Sequence, residues 1–307
     1  MMNSKTAMLG CILIGLLLCS VLMAGCTGNS SGQTEKKVTT ANTTAAAQAP
    51  ATAKATSGGS VLTVAGSTTV LPVAAKAAES YMAAHPGIDV QVTGGGSGAG
   101  VKAAGEGTTM IGMASRDLSA DEKTKYPDLK THQIAIDGLA FITNPKNPIP
   151  SLTLEQVKKI YDGNITNWKD VGGSDAAIVV VGRDSASGSR DFMTSSVMKN
   201  ADYIKTQLEK NSNGAVQQTI AQTENAIGYV GLGYIDSSVH AVPVSVNGTT
   251  VTPSIETVKA GTYPLARPLY LLTKGEPSGD ATKFIAFIDS PDGQKLVTEE
   301  GFVTLTK

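Results

Sequence analysis

Gly182-Arg183-Asp184-Ser185-Ala186-Ser187-Gly188-Ser189-Arg190-Asp191-Phe192 is the stretch around which the chain is organised. Four aliphatic residues, 178–181, precede it and read as a buried strand. A helical pattern follows, carried by Phe192, Met193, Val197 and Met198. The unit is therefore a strand, a loop of small hydroxylated residues and a helix start. Two arginines flank the serines. Arginine grips an oxyanion through paired N–H groups, and serine hydroxyls donate to the remaining oxygens. Free backbone N–H groups at a helix start attract anions as well. The plainer reading is a helix cap, with Ser185 or Ser187 as N-cap and Arg190 in solvent. Matching donors elsewhere in the chain decide between the two.

Two earlier units have the same form. Residues 61–65 read as a strand, followed by Gly66-Ser67-Thr68-Thr69 and a helix over about 71–84, with Pro72 tolerated in its first turn. One hydroxyl suffices for a cap, so three are an excess. Residues 88–93 form the next strand, followed by Gly94-Gly95-Gly96-Ser97-Gly98-Ala99-Gly100-Val101-Lys102. A nucleotide phosphate loop needs Lys-Ser/Thr directly after its last glycine; Val101 intervenes and Ala103 follows Lys102, so an NTPase is excluded. What remains is a glycine-rich turn that lets backbone approach a ligand, with Ser97 at a helix start. A third apolar stretch, 110–114, ends in Ser115-Arg116-Asp117, and Ser115 or Ser119 caps a helix containing Asp121 and Glu122.

The apolar stretch 132–143 predicts a strand crossing between two lobes, and 268–273 a strand crossing back. Between them the pattern predicts helices at 154–161, 201–210, 216–222 and 255–260, and a strand-turn-helix start at 226–234. A hairpin is expected from 239–246 to 249–251 across Asn247-Gly248. Helices at 281–290 and 293–300 close the chain. Such alternation favours parallel α/β layers on two lobes.

Composition narrows the partners. The first 60 residues hold four lysines and one glutamate, which leaves the body with 21 basic against 25 acidic residues, a net of −4. That argues against nucleic acid as a partner and requires any anion site to be built locally. Residues 1–26 read as a secretory leader ending in a lipoprotein box, Leu22-Met23-Ala24-Gly25-Cys26, with Cys26 the lipidated residue. The alternative is an uncleaved anchor; either places the body outside the cytoplasm. Residues 27–60, rich in Thr, Ala, Ser and Gly, read as a disordered tether. Cys11, Cys19 and Cys26 are the only cysteines, and His85, His132 and His240 have no ligand spacing, so no metal or other cofactor is expected. No Gly-x-Ser-x-Gly elbow occurs, and Ser196-x-x-Lys199 falls in an expected helix, so a serine hydrolase is disfavoured.

The body resembles the PstS family, the extracytoplasmic phosphate-binding proteins of phosphate ABC transporters. The resemblance is carried by residues 65–70, 95–100, 111–116, Gly163-Asn164-Ile165-Thr166-Asn167-Trp168, 183–190, 227–229 and Tyr263-Pro264-Leu265-Ala266-Arg267-Pro268-Leu269-Tyr270. It implies a type II periplasmic-binding-protein-like fold: two α/β lobes joined by two crossing strands, with the ligand in the cleft. Lobe I would be 61–142 plus 267–307, and lobe II 143–266. It implies no enzymatic activity, a permease as partner, a lipid anchor at Cys26 and a monomer. Carried over by position, Thr68 and Thr69, with Ser67 beside them, match the first-lobe loop. Ser97 matches the second helix start, and Arg183, Ser187, Gly188 and Ser189 match the second-lobe site. Many members place an aspartate after the third strand to accept a proton from phosphate; here Ser115 or Arg116 stands there, with Asp117 just beyond. Either Arg116 ligates the anion or Asp117 holds Arg116. Asp184 and Arg190 are expected to support the ligands. Sulfate or molybdate is the alternative ligand, and a surface adhesion role the more distant alternative.

Overall fold

The computed structural model describes residues 59–305. The leader, Cys26 and all of the expected tether except Gly59 and Ser60 lie outside the described residues. In chain order the elements are β1 (Ser60–Gly66), α1 (Leu71–Ala84), β2 (Ile88–Gly94), α2 (Ser97–Glu106), β3 (Ile111–Ala114), α3 (Ala120–Lys125) and β4 (Leu129–Thr143). Then come β5 (Leu152–Thr153), α4 (Leu154–Tyr161), β6 (Val179–Arg183), α5 (Gly188–Met193), β7 (Leu208–Lys210), α6 (Asn213–Gln222) and β8 (Ala226–Gly231). The chain finishes with β9 (His240–Val242), β10 (Val244–Val246), β11 (Thr249–Val251), α7 (Ile255–Lys259), β12 (Ala266–Lys274), α8 (Gly279–Asp289) and α9 (Pro291–Glu299).

The main sheet runs β2-β1-β3-β12-β4-β8-β6-β7, with β9 on β4. β1 is parallel to β2 and β3, and β6 is parallel to β7 and β8. These parallel sets are the floors of the two lobes. β4 joins them: its first half pairs antiparallel with β12, up to Gly138↔Ala266, and its second half pairs antiparallel with β8 from Leu139↔Gly231. The expected parallel layers hold within each lobe, and the two connecting strands, running in opposite directions, add the antiparallel pairs in the middle. β4 also spans two apolar cores. Ile134 and Ala135 pack with Leu62, Tyr81 and Phe284, whereas Leu139, Ala140 and Phe141 pack with Trp168, Tyr161 and Met193. One rigid strand thus sets the spacing of both cores.

Two other expectations fail locally. The helix expected over 201–210 does not form. Lys199 and Asn200 both adopt left-handed backbone (φ 52 and 62), which ends the preceding π-turn over Thr194–Met198, and β7 then pairs with β6. Tyr203 is occupied instead, with its ring under the Arg190 guanidinium and its hydroxyl against Thr194. The strand expected over 239–246 is broken at Pro243, which has no N–H for a ladder. β9 pairs with β4, while β10 pairs with β11 and β5.

Candidate functional site

The loops singled out in the sequence meet between the lobes. Ser67, Thr68 and Thr69 follow β1, Ser97 opens α2, Ser115 follows β3, and Arg183, Ser187, Gly188 and Ser189 join β6 to α5. Gly188 is buried, and the others are 6 % exposed or less although each of their side chains is polar. Buried polar groups need partners. Ser67 Oγ accepts from the amides of Thr69 (3.2 Å) and Val70 (3.4 Å), closing the turn into α1. Ser97 Oγ accepts from the Ser115 amide at 3.1 Å and lies 3.3 Å from Ser115 Oγ. Ser187 Oγ caps α5 by accepting from the Arg190 amide at 3.2 Å. The cap reading of the opening stretch is thus correct for Ser187 and leaves Ser189 and Arg183 free for another role.

Contacts across the cleft are direct. Ser189 Oγ lies 3.4 Å from Thr69 Oγ1, and the Gly98 amide donates to Ala186 O at 3.0 Å. Gly188 sits where α5 meets the first lobe. A Cβ there would lie 2.1 Å from Ser97 Oγ and 3.0 Å from Ser115 Oγ. The clash involves only residues of the opposite lobe, so Gly188→Ala should leave the fold intact and oppose closure. Overpacking of this kind costs about 1–3 kcal/mol. We expect the ligand-free melting temperature to be unchanged and ligand affinity to fall about 5–150-fold; unchanged affinity in a titration would contradict this packing.

Arg183 carries the unusual electrostatics. It is 1 % exposed, and Nε donates to Lys210 O at 3.1 Å. One terminal nitrogen donates to Thr68 Oγ1 (3.3 Å) and Asn211 O (3.2 Å). Among the described residues no carboxylate lies within ion-pair distance of it. Burial pushes its pKa down from the ordinary guanidinium value, a sign of an uncompensated charge, though guanidinium stays protonated. The other buried arginine, Arg267, is compensated: its guanidinium meets Asp137 Oδ2 at 2.8 and 2.9 Å, both side chains fully buried. Burial pushes the Asp137 carboxyl up, and Arg267 together with the Leu232 amide at 2.8 Å pulls it back. Arg267 also donates to Ser189 Oγ (2.9 Å) and Thr69 Oγ1 (3.3 Å).

Arg116 and Asp117 correct the expectation. The Arg116 guanidinium is fully engaged by Glu122 at 2.7 and 2.8 Å and, across the cleft, by Asp191 at 2.6 Å. It ties the lobes at the cleft mouth and does not extend to the buried hydroxyls, because Glu122, fixed by its capping box with Ser119, holds it aside. The Asp117 carboxylate receives the Tyr270 hydroxyl at 2.8 Å, and it is the Asp117 carbonyl that accepts from Arg116. Arg190 faces outward to Glu209 and also donates to the Arg183 carbonyl, so it supports the loop. Asp184 Oδ1 is buried without a hydrogen-bond partner, and its amide donates to Lys210 O.

Three residues at the centre were not singled out in the sequence: Asp137, Arg267 and Asn213. Asp137 did leave a signal, as the one charged residue in the apolar stretch from Ile134 to Thr143. Arg267 lies in the run Tyr263–Tyr270. Asn213, at the first position of α6, is a polar residue beside the cap Ser212 and looks like surface. Among the described residues no cluster of three or more metal-ligating side chains occurs. The assembled chemistry is a buried, donor-rich, locally positive cluster of hydroxyls, amides and guanidinium groups.

A family model described as a PBP superfamily domain matches residues 37–292. The phosphate-binding protein PstS of Bacillus subtilis is 36% identical over 249 residues, covering 80% of this chain and 81% of that one. PstS of Borreliella burgdorferi is 32% identical over 251 residues, covering 79% and 89%. Among solved structures, a phosphate ABC transporter substrate-binding protein from Clostridium perfringens, determined with bound phosphate, aligns with TM-score 0.76 at 40% identity, covering 80% of this chain and all (100%) of that one. An ABC-type phosphate transport receptor from Vibrio cholerae aligns with TM-score 0.66 at 35% identity, covering 80% and 100%.

Proposed function

Since the chain belongs to the PstS family of phosphate-binding proteins, within the PBP superfamily, we propose that it captures inorganic phosphate outside the cytoplasm and delivers it to the permease of an ABC transporter. The observation that carries this reading is Arg183: a buried cation with no carboxylate partner among the described residues, held in the second lobe by the carbonyls of Lys210 and Asn211 and reaching the Thr68 hydroxyl of the first. A buried unpaired charge costs several kcal/mol, and an anion is what removes that cost. Phosphate would lie between the starts of α1, α2 and α5. It would take donors from Thr68, Thr69, Ser97, Ser115, Arg183 and Ser189 and from the Gly188 amide, with Ser67 and Ser187 shaping the loops. Charge-assisted bonds contribute about 1.5–3 kcal/mol each. A handful, less the cost of ordering the lobes, supports roughly micromolar or tighter binding.

Arg116 becomes a tie across the cleft in this reading, and Arg190 a support for the Arg183 loop. The lobes divide near Gly138 and Ala266, where β4 and β12 cross from one core to the other. From the leader sequence we read Cys26 as a lipid anchor that tethers the body, as a monomer, to the outer face of the cell membrane. The relatives named above are binding proteins, which fits a role without turnover.

Titration calorimetry of ligand-stripped protein tests the reading. One phosphate per chain should bind, with heat at micromolar protein, and sulfate at equal concentration should not displace it. Absence of heat with phosphate would sink the proposal. Displacement by sulfate would favour a general oxyanion carrier, the reading suggested by Ser115 and Arg116 standing where the family's aspartate is expected.

A further inference from the structure

The hydroxyls of Thr68 and Thr69 do not stand alone. Asn213, fully buried at the start of α6, donates through Nδ2 to Thr68 Oγ1 at 3.1 Å and to Thr69 Oγ1 at 3.0 Å. Its own Oδ1 is held by the Gly231 amide at 3.3 Å, so the carboxamide cannot flip without losing that bond. Thr68 Oγ1 receives further N–H groups from Arg183 at 3.3 Å and from the Asn213 backbone amide at 3.4 Å, and Thr69 Oγ1 one from Arg267 at 3.3 Å. A hydroxyl has two acceptor lone pairs and one proton. Two N–H donors at Thr69 and three at Thr68 take up the acceptor capacity, and only the O–H is left to offer. The Asn213 carboxamide is the one group that serves both.

We propose that Asn213 is a positioning residue for anion capture: it commits the Thr68 and Thr69 hydroxyls to the donor role and so makes that side of the pocket donor-only. The inference rests on the phosphate reading of the same site. It implies that the anion meets Thr68 and Thr69 with unprotonated oxygens, so that any proton on the ligand faces elsewhere. Asn213 need not touch the anion; it acts through the two hydroxyls. Without its carboxamide the Thr69 hydroxyl, left with Arg267 as its N–H donor, can turn its proton to Ser189 Oγ and present a lone pair to the ligand, whereas Thr68 keeps the N–H groups of Arg183 and of the residue 213 backbone.

The test is a double-mutant cycle with inorganic phosphate, read by calorimetry on the full chain. Asn213→Ala should weaken phosphate binding about tenfold, the scale of one hydrogen bond to a charged group. In a Thr69→Val background the same change should cost clearly less, because one of the two hydroxyls it orients is gone. A residue that merely supports the fold would cost the same factor in both backgrounds, and that result would overturn the inference. Asn213→Asp, nearly isosteric, reverses the polarity: its carboxylate draws the threonine protons away from the anion. It should bind phosphate at least tenfold more weakly than Asn213→Ala, and binding as tight as that variant's would also overturn the inference. Ligand-free melting curves identify any variant that fails to fold, in which case the cycle between Asn213→Asp and Thr69→Val gives the same comparison. If the unsubstituted protein binds no phosphate, the functional reading falls and the inference with it. If it binds phosphate and Asn213→Ala is neutral, only the inference falls.

Discussion

Arg183→Ala should abolish phosphate capture at physiological concentrations while leaving a folded protein. The side chain is buried, is the one cationic group of the cleft without a carboxylate partner among the described residues, and spans three acceptors on two loops. Removing one member of a buried charge pair costs about 3–5 kcal/mol, which in the complex translates to roughly 10²–10³-fold or more in affinity. In the ligand-free protein the balance differs. The variant loses donors to Lys210 O and Asn211 O but also loses an uncompensated buried charge, and these effects oppose one another. The expected signature is therefore a ligand-free melting temperature within a few degrees of the parent, with the phosphate-induced rise gone. Arg183→Lys should be intermediate, because an ammonium keeps the charge and cannot serve the same acceptors from one rigid plane. A phosphate-induced rise equal to the parent's in Arg183→Ala would mean that the anion binds elsewhere.

The second large effect concerns stability. Asp137→Asn leaves Arg267 as a cation at 1 % exposure in the strand crossing, where Asp137 is its carboxylate partner among the described residues. The loss expected is about 3–5 kcal/mol. For a body of this size each kcal/mol is worth about 2–4 °C, so melting should fall by roughly 6–20 °C. Trp168, the only tryptophan and fully buried in the core beside β4, provides the fluorescence signal. Replacing both members, Asp137→Leu with Arg267→Met, should recover part of the loss, since an apolar pair avoids the desolvation of two ions. The double variant should still bind phosphate poorly, because Ser189 and Thr69 lose the donor that orients them. A melting temperature for Asp137→Asn within about 2 °C of the parent, under one kcal/mol, would mean the pair is not the keystone of the crossing.

Local chemistry made much of this legible in the sequence. Each strand, hydroxyl loop and helix start is a short-range pattern, and the loops at Ser67–Thr69, Ser97 and Arg183–Ser189 could be found from their own residues. Alternating apolar residues likewise gave away β4 and β12 as the connecting strands. The failures are tertiary. Arg116 looked like a ligand because it follows the third strand, where the family's aspartate is expected, yet its partners are Glu122 in the next helix and Asp191 from the other lobe. Asn213 lies ahead of the helix expected over 216–222 and carries no local signal; only the approach of α6 to Thr68 buries it. The helix expected over 201–210 yielded to a strand because β6 needed an edge partner and Arg183 needed the carbonyls of Lys210 and Asn211. Asp137 marked itself by interrupting an apolar strand, but its partner Arg267 is 130 residues away, a pairing that no local pattern reveals.

The most direct test of the central claim is a crystal structure of the protein grown with phosphate. One anion should be enclosed between the lobes, within hydrogen-bond distance of Arg183, of the Thr68, Ser97 and Ser189 hydroxyls and of the Gly188 amide, with Arg116 still paired to Asp191 at the mouth. An anion found instead on Arg116 in the open groove beside Asp117 and Phe192, with no density at Arg183, would contradict it.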